Sequence, residues 1–528
     1  MKKAVLLTVL TMTVLSCSLF GGPKSDTGSG PKGAIHVTGP ITGGEHGWPF
    51  MGYFGNISRI GYVEEEFFIE GNAAHYDLTG EWTNDGKWTL EKADAVPYKT
   101  RVLVQRPADP AGFNGTVIVE WSNVSNGYDW AFVELEAMMD MADCGFAYAL
   151  VSTQPIGIYG FKNAATATSE VRAVGTNMTV QAAPADLAHA GLVTWDPQRY
   201  GSLNVPDDGV SYDIFTQAGI ALGPNRKTQT TGVDTMGGLD VKKLIAVGGS
   251  QSGIRLLSYA NGVQPLANVY DAIIPGLGGG QGVDFKAAVA EDRTAPDPNP
   301  VGRRIRPALI RDDLSIPVMI FNSEAEADWT AEARQPETGK LRHWEVPGSS
   351  HAGPRKMQFV NRKSDREGIT NSLNVISVIR QTEVDWQPVL SAAFWAIHQW
   401  ITDGAPPPSF PPIETTVTNG RIELRRDQYG NALGGVRLPE LEVPFANYSV
   451  VYRTRILPSS YTIPFSTAYL KQLYPTHDDY VAKVTEAVNK AKAAGILLER
   501  SANEYIRKAQ AVPVPEMVYP EAIRQYLK

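Results

Sequence analysis

Short apolar runs alternate with stretches of helical periodicity along most of this chain, beginning at about residue 63. Typical runs are TVIVEW at 116–121 and KLIAV at 243–247, which are bounded by Asn-Gly and Gly-Gly turns. Near-continuous apolar strands that alternate with helices are typical of a mostly parallel sheet with helices on both faces. We predict eight strands, at 63–76, 98–105, 116–121, 146–152, 243–247, 269–274, 318–321 and 341–346. The main predicted helices lie at 129–141, 212–222, 253–261 and 389–402.

Three segments look like additions to this alternating pattern. Residues 35–90 contain many glycines and aromatic residues and few predicted strands, whereas 154–210 and 275–314 are long, varied stretches of the kind that form lids. A stiff proline-rich connector, APPPSFPP, then leads into a tail at 405–528. We predict one core over 35–404 with two insertions, and a C-terminal extension packed on or beside it.

The first residues read as a targeting signal. Two lysines precede an apolar run at 4–15 that is too short to span a bilayer as a mature helix, and VLSC follows. That stretch resembles a bacterial lipobox with Cys17 as the lipidated residue, and ordinary secretory cleavage nearby is the alternative. We therefore expect a signal peptide at 1–17 and a flexible tether at 18–34. The protein would be a membrane-anchored lipoprotein of the cell envelope, facing the periplasm or the outside, or else a secreted protein.

Composition excludes several classes of protein. The 528 residues are 43% hydrophobic and 20% charged with a net charge of −8, which is an ordinary globular balance without basic blocks. We expect no nucleic-acid partner. The two cysteines, Cys17 and Cys144, cannot make a disulfide framework or a cysteine-based metal site. Neither His-Glu-x-x-His nor a Walker-type Gly-Lys-Ser/Thr occurs, so zincin proteases and P-loop NTPases are excluded.

The segment LIAVGGSQSG at 244–253 has the pattern of a nucleophile elbow, in which an apolar strand runs through Gly248-x-Ser250-x-Ser252 into a helix. The elbow serine occupies a strained turn, so the residues two before and two after it must be small. Ser250 meets this need, whereas Ser252 as nucleophile would put the bulky Ile254 in the turn. The N–H of Gln251 would then point at a developing oxyanion. A glycine-rich structural turn is the competing interpretation.

Two further groups follow in the order serine, acid, histidine that accompanies such elbows. Carboxylates come directly after the predicted strand at 318–321, and His351 follows the next predicted strand in a Pro-Gly-Ser-Ser-His segment. Because parallel strands place their carboxyl ends at one edge of the sheet, we expect these groups to meet there. We predict His351 as the base and Glu326 as the acid that orients it, with Glu324 and Asp328 left open.

The remaining candidate residues are less specific. The second oxyanion donor should come from the loop after the strand at 116–121, and we predict the backbone N–H of Asn123. Four aromatic residues near strand ends would line an acyl or alcohol pocket or belong to the core: Trp121, Tyr128, Trp130 and Trp329. His343 and His398 fall inside a predicted strand and helix and should be structural. Surface or packing roles are expected for His36, His46, His75, His189 and His477.

Six sequence blocks closely resemble a family of bacterial α/β-hydrolase domain proteins: YKTRVLVQRPADPAGFNGTVIVEWSNVS, SYDIFTQAG, VGGSQSG, FNSEAEADW, WEVPGSSHA and YGNALGGVRLP. The resemblance runs from about residue 62 to the C-terminus. It implies an α/β-hydrolase fold with nucleophile Ser250, an acid near Glu326 and base His351. Two positions differ, because Gly249 stands where the family usually has Glu and Glu326 where it often has Asp.

These observations predict a serine hydrolase that cleaves a small-molecule carboxylic ester through an acyl-enzyme, without a metal ion or organic cofactor. Amide, thioester or lactone cleavage and acyl transfer need the same triad and stay open. A non-catalytic binding lipoprotein of the envelope is the alternative from another class. Dinucleotide binding at GLGGGQG is disfavoured, because Gln281 occupies the third glycine position.

Overall fold

A ten-stranded sheet forms the centre of the part of the chain that the structure describes. The structure is a computed structural model, and it describes residues 35–160, 170–172, 179–181, 190–285, 305–369, 382–451 and 459–518. The predicted signal peptide with Cys17, the tether, His189 and parts of both insertions lie outside these ranges.

The strands of this sheet are β1 Ile35–Thr38, β2 Tyr62–Leu78, β3 Leu90–Pro107, β4 Thr116–Trp121, β5 Ala147–Val151, β6 Thr230–Gly232, β7 Lys243–Gly249, β8 Ala272–Gly276, β9 Val318–Ser323 and β10 Leu341–Val346. Their order across the sheet is β10-β9-β8-β7-β4-β5-β3-β2-β1-β6. Pairing is parallel from β10 to β5 and antiparallel from β5 through β3 and β2 to β1. The mostly parallel sheet is therefore confirmed.

The sheet differs from the prediction in strand number and in its first segment. The sheet has ten strands among the described residues instead of eight, because β1 and β6 have only four and three residues, too few to show a period. The segment 35–90 is also not poor in strands. It supplies β1 and β2, and the 17 residues of β2 pair along most of β3.

Seven helices of eight or more residues are described: α1 Glu134–Asp143, α2 Ser211–Leu222, α3 Gln251–Ser258, α4 Pro354–Arg366, α5 Gln387–Asp403, α6 His477–Ala493 and α7 Glu499–Ala511. Helix α1 begins five residues later than predicted. The reason is that the carboxylate of Glu120 accepts the backbone N–H groups of Phe132 and Val133, which holds this stretch outside the helix.

Shorter elements complete the described structure. Short helical segments lie at Ile57–Ile60, Pro110–Gly112, Pro155–Tyr159, Leu192–Trp195, Pro197–Tyr200, Arg226–Gln229, Tyr259–Val263, Gln264–Ala267, Glu324–Glu326, Ala331–Ala333, Pro439–Glu442 and Thr467–Leu473. Two-stranded ribbons pair Glu170–Arg172 with Thr179–Gln181, Gln281–Val283 with Ile305–Pro307, Thr415–Thr418 with Arg421–Leu424, and Ala446–Val451 with Ser459–Pro464. Within the described ranges, no helix has the length and apolar character needed to cross a bilayer.

The C-terminal extension contacts the core beside β9 and β10. The backbone N–H of Ile413 donates to Glu345 at 2.8 Å, and the guanidinium of Arg426 donates to Glu324 at 3.0 Å. Apolar residues of the extension, including Leu438 and Tyr448, belong to the same buried cluster as the sheet. The extension therefore stabilises β10 and the loop that follows β9.

Candidate active site

Three predicted side chains form one hydrogen-bonded chain at the carboxyl edge of the sheet. Oγ of Ser250 lies 2.9 Å from Nε2 of His351, and Nδ1 of His351 lies 2.7 Å from Oε1 of Glu326. An ionised carboxylate only accepts hydrogen bonds, so the imidazole donates from Nδ1 and leaves Nε2 as an acceptor for the serine O–H. This is the arrangement in which a neutral histidine removes a serine proton.

The elbow holds Ser250 in a backbone conformation that L residues rarely adopt. Its φ is 61° and its ψ is −124°, between the end of β7 and the start of α3. A Cβ added at Gly248 would lie 2.8 Å from the carbonyl oxygen of Ser252, so a larger residue would break the turn. The hydroxyl of Ser252 is buried and bonds to the backbone of Gly249, at 3.1 Å from its nitrogen and 3.0 Å from its oxygen. Ser252 therefore stabilises the turn.

The loop after β9 separates the three candidate acids. Glu326 is fully buried, and its Oε2 accepts the N–H and the O–H of Ser323 at 2.8 and 2.6 Å, which leaves Oε1 for His351. Glu324 accepts the N–H of Gly348, in the loop after β10, at 2.5 Å and the guanidinium of Arg426, in the extension, at 3.0 Å. Asp328 accepts the N–H of Trp329 at 2.8 Å, and burial and the charge of Glu326 raise its pKa. Of the three candidate acids, Glu326 is the one whose carboxylate contacts the imidazole of His351.

The two predicted oxyanion donors differ in their environment. The N–H of Gln251 is the first amide of α3, and amides in a first helical turn have no partner within the helix. The N–H of Asn123 is not free, because it donates to the carbonyl of Trp130 at 3.1 Å in an isolated antiparallel bridge. The prediction for the Asn123 N–H is therefore corrected. Its side chain reaches the elbow instead, donating from Nδ2 to the carbonyl of Gly249 at 2.9 Å.

A family model described as an alpha/beta hydrolase domain matches residues 37–507. The chain belongs to this α/β-hydrolase family. Among solved structures, a glucuronoyl esterase from Solibacter usitatus is similar, with 10% identity over 64% of this chain and 86% of that one and a TM-score of 0.26. A serine hydrolase without a lid from Xanthomonas campestris has 13% identity over 56% and 90% of the two chains and a TM-score of 0.23. Among curated proteins, none matches the sequence significantly.

The sequence did not predict that Lys356 and Glu120 hold Phe132 beside the candidate site of this α/β-hydrolase. The Phe132 ring lies 5.8 Å from the His351 ring, and a Cβ at Gly249 would come within 2.2 Å of it. The family's usual Glu at 249 therefore has no room here. Buried Lys356 donates to the Phe132 carbonyl with its ammonium 3.1 Å from the ring centroid, and Glu120 accepts the Phe132 N–H at 2.5 Å. Burial raises the pKa of Glu120 to about 7. The feature of the sequence that could have indicated this arrangement is Glu120, an acidic residue inside the apolar run TVIVEW.

Most of the predicted pocket aromatics of the α/β-hydrolase belong to its core. Trp121, Tyr128 and Trp130 are buried in the main apolar cluster, and Trp329 is half-buried. The two histidines expected to be structural are both half-buried: burial lowers the pKa of His343 to about 4 and also lowers that of His398, which contacts Thr116 at 2.8 Å.

The other described histidines contact residues other than Ser250, His351 and Glu326. His75 contacts Asp207 at 2.9 Å and Asp94 at 3.2 Å; partial burial would lower its pKa, but the hydrogen bond and the two charges raise it. Further polar contacts hold the rest: His36 bonds to Thr231, His46 stacks on Trp195 and His477 bonds to the Val514 carbonyl. Within the described residues, no group of three or more His, Cys, Asp or Glu residues could hold a metal ion.

Proposed function

We propose that this α/β-hydrolase is a serine hydrolase that cleaves carboxylic esters through an acyl-enzyme. The observation that carries the proposal is the continuous chain from Oγ of Ser250 through the imidazole of His351 to Glu326, with contacts of 2.9 and 2.7 Å. A serine hydroxyl becomes a useful nucleophile only when an oriented base removes its proton, and this chain supplies both the base and the orienting group.

In the proposed reaction, Nε2 of His351 takes the proton of Ser250 while Oγ forms a bond to the ester carbonyl carbon. The resulting imidazolium, stabilised by Glu326, gives that proton to the departing alkoxide, so an alcohol leaves and the acyl group stays on the serine. A water molecule then adds to the acyl carbon as His351 takes its proton. The serine regains a proton from the imidazolium, and the carboxylic acid is released.

The developing oxyanion would be held by the N–H of Gln251 at the start of α3, where the helix dipole also favours negative charge. Phe132 lies beside the proposed reaction site, since its ring contacts the imidazole of His351. Asn123 would contribute by holding the Gly249 carbonyl next to the nucleophile.

The decisive test replaces Ser250. We expect Ser250→Ala to abolish hydrolysis of short-chain p-nitrophenyl esters and covalent labelling by a fluorophosphonate probe, both measured on purified protein. Ser202→Ala is the control, because Ser202 is an exposed serine outside the elbow, and it should still be labelled. Labelling of Ser250→Ala would overturn the proposal. Amide, thioester and lactone analogues of the same acyl group, tested on the wild-type enzyme, separate ester cleavage from the related reactions.

We also propose that the enzyme is a lipoprotein of the bacterial cell envelope. The support is the apolar run at 4–15 followed by Ser-Cys17 and a Gly-, Ser- and Pro-rich stretch, which suits an anchored enzyme. The full-length protein should incorporate labelled palmitate and sediment with membranes. Cys17→Ser should lose the label and the sedimentation, and equal fractionation of both proteins would contradict the anchor.

A further inference from the structure

A second polar cluster lies next to the nucleophile, on the face of α3 that carries Gln251 and Arg255. These residues are four apart and therefore lie on one side of the helix. Nε2 of Gln251 donates to Oε1 of Gln154 at 3.0 Å, and Nε2 of Gln154 donates to Oδ1 of Asp208 at 3.2 Å. Nη2 of Arg255 donates to Oδ2 of Asp208 at 3.0 Å. The four side chains thus form one connected network.

This network is incompletely satisfied. Among the described residues, neither Nε nor Nη1 of Arg255 has a hydrogen-bond partner, and Oε1 of Gln251 has none either. The side chain of Arg255 is only 3% exposed. Buried polar atoms are nearly always hydrogen-bonded in folded proteins, because an unpaired one forfeits its bonds to water. Nε and Nη1 of this buried guanidinium can therefore donate hydrogen bonds to an acceptor on a bound ligand.

The network stands at the same edge of the sheet as the triad. Ser250 caps α3, and five residues of helix place the Cα of Arg255 about 7.5 Å further along the axis. Side chains on an α-helix lean toward its N-terminus, so the guanidinium leans back toward the elbow. Gln154 follows the carboxyl end of β5, as Ser250 follows that of β7. Parallel sheets of this type bind their ligands beyond these strand ends.

We infer that Arg255 is a specificity-determining residue that binds a carboxylate carried by the ester substrate. The planar guanidinium matches a carboxylate in shape, and Asp208 occupies only one of its nitrogens. A single arginine that is partly neutralised by Asp208 suits a monoanionic carboxylate better than a doubly charged phosphate. Tyr212 lies 6.0 Å from the guanidinium carbon and covers one of its faces. The inference rests on the proposed ester hydrolase function.

The first test compares esters that differ by one charge. One pair is mono-p-nitrophenyl adipate and p-nitrophenyl hexanoate, which carry the charge on the acyl part; the other is 4-carboxyphenyl acetate and phenyl acetate, which carry it on the alcohol part. The readout is the ratio of kcat/KM for the charged ester to that for the neutral one. In at least one pair, Arg255→Met should lower this ratio about tenfold or more, as expected for loss of a charge-assisted hydrogen bond.

A second variant moves the same ratio in the opposite direction, which guards against a trivial loss of folding. Asp208→Asn keeps an acceptor for Gln154 but removes the competing negative charge, so it should raise the ratio several-fold. Arg226→Met is the matched control, since Arg226 is an equally buried arginine paired with Asp234 at 2.6 Å. It should leave the ratio unchanged. Equal ratios for wild type and Arg255→Met in both pairs would overturn the inference.

A binding measurement separates this inference from the proposed function. Inactive Ser250→Ala protein should bind adipate more tightly than hexanoate in titration calorimetry, and the added substitution Arg255→Met should abolish the difference. Failure of this preference, together with equal kcat/KM ratios for wild type and Arg255→Met in both ester pairs, would reject the carboxylate site and keep the ester hydrolase, provided that Ser250→Ala is inactive. Full hydrolytic activity of Ser250→Ala would reject the proposed function, whatever the calorimetry gives.

Discussion

Two buried clusters of charged residues occupy opposite halves of the sheet, and they differ in whether anything outside can reach them. In the antiparallel half, Glu66 accepts Nε of Arg101 at 2.6 Å, Nε of Arg199 at 2.6 Å and the hydroxyl of Tyr200 at 2.8 Å. The side chain of Arg101 is completely buried and that of Glu66 is 1% exposed. This cluster satisfies its carboxylate internally.

The proposed triad of Ser250, His351 and Glu326 in the parallel half is built differently. Glu326 is as buried as Glu66, but His351 is 25% exposed at its side chain and Ser250 is partly exposed at the elbow. The buried Glu326 fixes the orientation of the imidazole, whereas His351 and Ser250 are exposed enough to contact a substrate. A charge cluster enclosed on all sides should therefore matter for stability, whereas one that opens at a strand end should matter for rate.

The largest expected effect is at the exposed end of the triad. His351→Gln should lower kcat by about 10⁵- to 10⁶-fold, because the serine loses its base. Ester hydrolysis under saturating substrate measures this loss, and unchanged thermal unfolding shows that folding is intact. A variant with more than a tenth of the wild-type rate would remove His351 from the mechanism.

Glu324 and Glu326 lie in one loop and allow a structural carboxylate to be compared with a proposed catalytic one. Glu326→Ala should lower kcat about 10⁴-fold, because the imidazole loses the group that orients it and stabilises its charge. Glu324→Ala should cost less than about tenfold in kcat and should mainly lower stability, since Glu324 holds Arg426 and Gly348. Rates and urea unfolding of the two variants, measured side by side, decide the assignment, and a reversed order would make Glu324 the orienting acid.

Substitutions in the buried cluster around Glu66 should change the stability of the protein and leave its reaction rate unchanged. Arg101→Met should lower the free energy of unfolding by about 3–5 kcal/mol, because it leaves Glu66 buried with one of its partners missing. Activity per folded molecule should stay at the wild-type value. Arg500→Met is the control, because the Arg500–Asp143 pair is exposed at both ends and should be worth less than about 1 kcal/mol. Loss of kcat in folded Arg101→Met would break the contrast between the two halves.

The half-buried His343 predicts a pH dependence of stability. Burial lowers the pKa of His343 from 6.5 to about 4, so the unfolded chain binds a proton between these values while the folded chain does not. Stability should therefore fall as pH drops from about 6.5 toward 4, by an amount on the order of 3 kcal/mol from this residue. His343→Gln should flatten that fall in urea titrations at a series of pH values. Parallel pH profiles for the two proteins would contradict the assignment.

The sequence was sufficient for those features that a local pattern encodes. The strand Thr116–Trp121 has the predicted bounds, because a fully buried parallel strand is an almost continuous apolar run. The strand Leu341–Val346 also has the predicted bounds, although Arg342 and His343 are only partly buried. The order of Ser250, Glu326 and His351 after strand ends predicted their convergence, since parallel strands end at one edge.

Features that depend on distant partners could not be predicted in the same way. The short β1 and β6 pair with each other across almost two hundred residues, and β1 also pairs with β2. Arg255 carries no distinguishing pattern in the sequence. Its free donors become visible only when Asp208 is found to contact a single nitrogen.

The smallest predicted effect tests the corrected role of Asn123. If its backbone N–H were an oxyanion donor, Asn123→Ala would keep that group and most of the activity. The structure instead commits this N–H to Trp130 and uses the side chain to hold the Gly249 carbonyl at 2.9 Å. We therefore expect Asn123→Ala to lower kcat about tenfold, the scale of one lost hydrogen bond that positions the nucleophile, while KM changes little. Asn123→Asp keeps the acceptor for Trp130 but loses the donor to Gly249, so it should show the same fall in kcat; a wild-type rate for both variants would return the backbone donor to consideration.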